Sequence, residues 1–217
     1  MTIKERFKIT IEYFQKIFPA AETELDYRSP FELLVAVILS AQCTDKRVNL
    51  ITPALIEKYP DAQAMAKAEP EEIFKFIKSC TYPNNKSKHL SGMSRMLVTV
   101  FGGTVPSEPD LLQKLPGVGR KSANVIASVI FNKPVIAVDT HVFRVSNRIG
   151  LVKNAKTPLS VELQLTKYIP AELLHEAHHW LILHGRYTCT ARNPLCLKCG
   201  LSDICNYYLK NRKVKKE

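Results

Sequence analysis

Almost every apolar segment of this 217-residue chain repeats at intervals of three and four residues, a regularity that leaves few folds open. Phe7, Ile11, Phe14 and Phe18 make one stripe on a first helix that ends at Pro19. Residues 30–42 are apolar nearly all round, the pattern of a buried helix. Asp45 can cap a following helix, which Pro53 interrupts, and Pro70 opens a short helix through Ile77. A helix over 86–101 stops at Gly102-Gly103, and further helices fit 109–115, 120–131, 140–148, 158–168, 171–184 and 202–210. Val135-Ile136-Ala137-Val138 is strand-like but short enough to be an extended connector. With no repeated β-α alternation, the fold class is all-α. Residues 210–217, with five basic side chains, read as a frayed, solvated end.

The length suits one large or two small domains, and 46% hydrophobic residues can bury a core, which excludes disorder of the whole chain. No run approaches the ~20 apolar residues of a membrane span. The N-terminal residues lack an apolar signal core, and Glu5 and Glu12 argue against a transit peptide, so a soluble intracellular protein is expected. The net charge of +11 points to a polyanionic partner, nucleic acid first and an anionic membrane surface second.

The sharpest local signal is Leu115-Pro116-Gly117-Val118-Gly119-Arg120-Lys121-Ser122-Ala123. Two glycines able to take positive φ join two helices, Leu115 and Val118 can hold those helices together, and the second helix begins with outward N–H groups. Such a turn suits a phosphate oxygen and binds a nucleic-acid backbone without reading sequence. A Gly-x-Gly alone would only be a helix stop; the apolar pair and the trailing Arg-Lys make the string specific. Lys121 falls in the first turn of that second helix, where the macrodipole and Arg120 both disfavour an ammonium, as a nucleophilic amine requires. Ala123, Ile126, Ala127 and Ile130 form the core stripe, leaving Lys121, Asn124 and Ser128 off it. Asp139 reads as an N-cap, which would also fix its carboxylate for chemistry.

Cys189, Cys196, Cys199 and Cys205 fall within 17 residues, whereas Cys43 and Cys80 stand apart as buried thiols. Without a secretory context the four suit a metal rather than disulfides, and their chemistry leaves Zn²⁺ and a [4Fe–4S] cluster both open. His175-Glu176-Ala177-His178-His179 matches the zinc-hydrolase pattern H-E-x-x-H, but so short a match is often accidental. His178 and His179 are read as packing or hydrogen-bonding residues.

Five motifs in order carry a resemblance over about residues 25–205: Leu-Ser-Ala-Gln at 39–42, the turn at 115–121, Val-Asp-Thr-His at 138–141, His-His-Trp-Leu-Ile-Leu-His-Gly at 178–185, and the terminal cysteines. Together they resemble the helix-hairpin-helix DNA glycosylases, and within them the endonuclease III family. The resemblance implies two helical domains flanking a DNA-binding cleft: a six-helix domain at 25–134, and a cluster domain of 1–24 with 135–217. It implies a glycosylase that flips a damaged pyrimidine out of the duplex, attacks C1′ with Lys121 assisted by Asp139, and cuts the strand by β-elimination. Relatives specific for adenine lack the lysine.

The same resemblance assigns the cysteine spacing of six, two and five residues to a [4Fe–4S] cluster, held in a loop that offers Arg186, Arg192 and Lys198 to DNA. It makes Gln42 a gap-filling residue, sets Ser40, Asp45 and His141 near the lesion pocket, and puts Tyr82 at a wedge position, where Thr81-Tyr82-Pro83 departs from the usual Gly-Leu-Tyr or Gly-Phe-Tyr. Gly117, Gly119 and Arg120 would hold the DNA backbone. The enzyme would be a monomer working on double-stranded DNA with damaged pyrimidines or abasic sites, in a nucleoid-associated cytoplasmic setting. Residues 110–150 carry Lys114, Arg120, Lys121, Lys133, Arg144 and Arg148 against Asp110 and Asp139, a local excess of +4 around the turn.

Overall fold

A computed structural model describes residues 1–214. Among these residues there is no strand and no helix long and apolar enough to cross a membrane. The helices are α1 (Ile3–Ile17), α2 (Pro30–Ser40), α3 (Asp45–Lys58), α4 (Ala62–Ala66), α5 (Pro70–Ile77), α6 (Pro83–Phe101), α7 (Pro109–Leu112), α8 (Arg120–Phe131), α9 (Thr140–Ile149), α10 (Pro158–Tyr168), α11 (Leu174–Tyr187) and α12 (Asn206–Val214). Three 3₁₀ turns precede α11 and flank the cysteine loop, at Ala171–Leu173, Cys196–Lys198 and Ser202–Ile204. Residues 135–138 form an extended connector.

Most boundaries follow from local chemistry. Proline occupies the first helical position of α2, α5, α6, α7 and α10, where its missing N–H costs nothing. Thr2 and Glu5 close α1 with a reciprocal capping box, and Ser29 caps α2 through the Glu32 N–H. The expected cap Asp45 is instead the first residue of α3, because the Thr44 hydroxyl accepts the Arg47 N–H. Pro53 does not interrupt α3, which runs through it. The helix expected over 86–101 begins three residues earlier, at Pro83. That over 202–210 is split, and its α-helical part continues to Val214, so the described part of the tail is helical. Residues 215–217 lie outside the described residues.

The chain divides into two compact units, Glu24–Lys133, and Met1–Thr23 with the chain from Pro134 onward. The first holds seven helices, α2 to α8, one more than the six expected, since the five-residue α4 is too short to show a period of its own. Its core forms around α2, buried from Leu33 to Leu39, and α6, which buries Leu90, Met93 and Leu97; α2 packs on α3 and α8, and α4 and α5 pack on α6. The second unit closes around Phe7, Phe14, Val142, Val145, Trp180 and Leu181, with α9 against α11 and α12. Trp180 Nε1 donates to the Phe18 carbonyl at 3.0 Å, fixing α1 to α11 although 162 residues separate them.

Candidate nucleic-acid interface, active site and cysteine loop

The turn between α7 and α8 is built as its residues suggest, with one correction. Leu115 and Val118 are buried, and the Val118 N–H donates to the Leu115 carbonyl. Gly117 sits at φ +82, and a Cβ there would meet the His89 Cβ at 2.9 Å, so both the backbone sign and the packing require glycine. Gly119 does not use positive φ. It is the extended N-cap of α8 at φ −89, and nothing lies within 4 Å of where its Cβ would be. It offers no side-chain cap, so it leaves the helix N-terminus open to an approaching anion.

Lys114, Arg120 and Lys121 are all exposed around this turn. The Lys121 side chain makes no hydrogen bond or ion pair among the described residues, whereas α8 behind it is buried from Ala123 to Ser128. Asn124 and Ser128, expected off the core, are 2% and 1% exposed. Packing against both α2 and α7 buries more than one stripe of α8, so its exposed side chains are confined to the first turn.

Gln42 and Tyr82 occupy the α2–α3 and α5–α6 connections, both exposed and both in the left-handed region at φ 54 and φ 55. Neither residue type favours that region. The two connections are bonded to each other: the Thr81 hydroxyl donates to the Gln42 carbonyl at 2.8 Å. Lys86, 4% exposed, sends Nζ to the Leu39 and Ala41 carbonyls at 2.8 Å each, satisfying the open end of α2. Ser40 Oγ donates to the Val37 carbonyl, and half-buried Asp45 lies in the first turn of α3.

In the other unit, Asp139 caps α9, its Oδ1 accepting the Val142 N–H at 2.7 Å. Its Oδ2 has no hydrogen-bond donor among the described residues. Two positions on, His141 Nδ1 accepts from Arg144 Nη2 at 3.2 Å, which places the remaining ring proton on Nε2. Arg144 also donates to the Gly185 and Cys189 carbonyls. Arg148 donates to the Thr190 and Ala191 carbonyls at 2.7 and 2.8 Å and lies 4.4 Å over the Tyr207 ring. The four cysteines line one cavity with Ile149, His184, Leu195, Leu201, Tyr207 and Tyr208. Arg192 and Lys198 are exposed on that loop, and Arg186 is half-buried in the last turn of α11.

Residues 35–171 match the model of the HhH-GPD superfamily base excision DNA repair proteins, and residues 189–205 match the iron-sulfur binding domain of endonuclease III. The chain is 48% identical to endonuclease III of Rickettsia conorii over 91% of its length and 93% of that protein's. It is 46% identical to that of Escherichia coli over 87% of its length and 89% of that protein's. A trapped endonuclease III–DNA covalent intermediate superposes with a TM-score of 0.92 at 43% identity, covering 98% of this chain and 100% of the other. The chain belongs to the endonuclease III family. It is therefore a DNA-binding base excision repair enzyme, a DNA glycosylase with abasic-site lyase activity.

The cysteine loop fits the iron-sulfur cluster of this family. Among the described residues no three His, Cys, Asp or Glu side chains converge on a single-ion position; the four thiols instead line one largely apolar cavity, the kind of donor set a polynuclear cluster takes. Burial raises the thiols of Cys196 and Cys205 and pushes Cys199 to about 11, so a bound cation is what would hold them as thiolates. Cys189, Cys196, Cys199 and Cys205 would ligate the cluster, and four bonds to it would rigidify this loop.

The histidine pattern has a different explanation. His178 Nδ1 lies 2.9 Å from the Ala137 carbonyl, and His179, 6% exposed, stacks edge-on with both His175 and His178. These rings tie α11 to the connector before Asp139. Lys86, Arg144 and Arg148 escaped the sequence reading as positioning residues, and the last two were counted there as surface charge. The pattern did hold a signal: Lys86 falls on the apolar stripe of Leu90, Met93 and Leu97, where a charge needs a buried partner.

Proposed function

We propose that this enzyme excises oxidised pyrimidines from duplex DNA through a Schiff base on Lys121. The observation that carries this reading is the exposed, unpaired Lys121 on the first turn of α8, directly after a turn shaped for a phosphate. Nζ attacks C1′ of the flipped nucleotide, and the C1′–N bond breaks, the base departing with a proton. Asp139, held by its cap bond, helps to activate the amine or stabilises the positive charge growing on the sugar. The sugar ring opens to a protonated imine on Lys121. Loss of a C2′ proton then breaks the C3′–O bond, releasing the phosphate on the 3′ side, and water hydrolyses the imine to free the lysine.

Gly117, Gly119 and Arg120 hold the backbone beside the lesion, Arg186, Arg192 and Lys198 extend that contact, and Gln42 and Tyr82 fill the space the flipped nucleotide leaves. Ser40, Asp45 and His141 act near the flipped base. The enzyme works as a monomer in the cytoplasm, on chromosomal DNA. That a relative has been trapped as a covalent intermediate on DNA supports a covalent route.

Borohydride reduction on duplex DNA bearing an oxidised thymine tests the scheme. A covalent adduct is expected from the wild type and none from Lys121→Ala. Asp139→Asn keeps a capping residue while removing the charge, so it is expected to fold and to lose roughly 10²–10⁴ in rate. Absence of any wild-type adduct, with DNA binding intact, would overturn the lysine's role.

A further inference from the structure

The mechanism leaves two thiols unused, and the fold brings them together. Cys43 directly follows Gln42, and Cys80 lies two residues before Tyr82; their Sγ atoms are 3.7 Å apart. A disulfide needs about 2.05 Å, so the sulfurs must close by about 1.7 Å. The surroundings hold them in register. The Thr81 hydroxyl joins the two connections at Gln42, and Lys86 pins the end of α2 from the first turn of α6. Cys43 is half-buried and can meet a small reagent, while Cys80, 5% exposed, lies behind it. No other pair among the six cysteines is free for such chemistry, since the remaining four surround the cluster cavity.

We propose that Cys43 and Cys80 form a reversible disulfide with a small-molecule disulfide as oxidant, and that the closed bridge suppresses opening of duplex DNA. The second half rests on the reading of Gln42 and Tyr82 as gap-filling residues. In the exchange, the Cys43 thiolate attacks one sulfur of the oxidant, expelling a thiolate and leaving a mixed disulfide. The Cys80 thiolate then attacks Cys43 Sγ, expelling the second thiol. Two protein thiols lose two electrons and two protons, and one molecule of oxidant becomes two thiols. Closing the sulfurs pulls the backbones at 43 and 80 together, immediately beside two residues held at unfavourable positive φ. Wedge residues whose neighbours are cross-linked lose the freedom to enter a base stack, while Lys121, in the first turn of α8, is untouched.

The test uses the holoenzyme with glutathione disulfide, following cluster absorbance so that cluster loss is not mistaken for the effect. Peptide mapping should find Cys43 linked to Cys80 in the wild type and not in Cys43→Ala or Cys80→Ala. Turnover on a duplex oxidised thymine should fall by roughly tenfold or more, the scale of a misplaced contact group, and recover with dithiothreitol. Borohydride trapping on a single-stranded abasic oligonucleotide, which needs no opening, should be unchanged, and both alanine variants should be insensitive to the oxidant. Glutathione attached to Cys43 without a linked peptide would overturn the bridge. A linked peptide with unchanged duplex turnover, or equal inhibition of Cys43→Ala, would overturn its regulatory role. Tyr82→Ala separates the layers: normal duplex turnover by that variant removes the wedge reading and the regulation with it, while the linked peptide still decides the bridge.

Discussion

His179 shows how a single residue sets a condition on the whole enzyme. Burial and the neighbouring His178 and His175 push its imidazole down to about 3, so the folded protein keeps the ring neutral through mild acid. The unfolded chain takes up that proton near the ordinary value of about 6.5. Stability from this residue is therefore complete above pH 6.5 and declines as pH falls, because below that point only the unfolded state binds the proton. The slope is about 1.4 kcal/mol per pH unit until the folded value is reached. His179→Gln, close in size and uncharged, removes the titration. Urea unfolding of wild type and variant at pH 7 and pH 5 should show the wild type losing about 2 kcal/mol more over that interval. Parallel losses would show that His179 is not the acid-sensitive group. Gly117 makes a complementary point, since its positive φ and its contact with His89 leave no room for a side chain in the turn proposed to hold DNA.

At the scale of elements, α9 acts as a splint. Asp139 caps its start, and its last turn sends Arg148 into the cysteine loop, so one ten-residue helix connects the proposed catalytic carboxylate to the cluster. Replacing Arg148 by Met keeps the aliphatic stem and removes two bonds to loop carbonyls. That unit should lose roughly 1–3 kcal/mol, the scale of charge-assisted bonds, and cluster absorbance should bleach faster under an iron chelator. Unchanged bleaching would mean the cysteines alone order the loop. Much of this element level is legible in the sequence. Helices at 70–77, 120–131 and 158–168 have the bounds their caps and prolines set, because those signals are local. Lys121, Asp139 and the four cysteines stand out for the same reason: each lies in a short string whose chemistry is already complete. The bonds of Lys86 and Arg148 cross 45 or 47 and 42 or 43 residues, and no local pattern reports such a partner. Nor could spacing show that Cys43 and Cys80, which stand apart in the sequence, face each other.

For the molecule as a whole, the net charge of +11 overstates the charge available to DNA. Of the six basic residues around the turn and Asp139, Lys133 pairs with Glu108, and Arg144 and Arg148 spend their guanidinium groups on carbonyls of α11 and the cysteine loop. Lys86 and Arg6 are likewise committed to backbone carbonyls. Lys114, Arg120 and Lys121 remain exposed beside the open N-terminus of α8. Each phosphate contact adds close to one unit to the slope of log affinity against log salt, whereas an internally bonded charge adds almost nothing. Lys114→Ala should therefore weaken binding to undamaged duplex and lower that slope by about 1. Lys133→Ala, which removes the same formal charge from the same unit, should leave the slope where it was. Fluorescence anisotropy across a salt series distinguishes the two, and equal slopes for both variants would mean that DNA responds to the diffuse charge of the protein rather than to the turn.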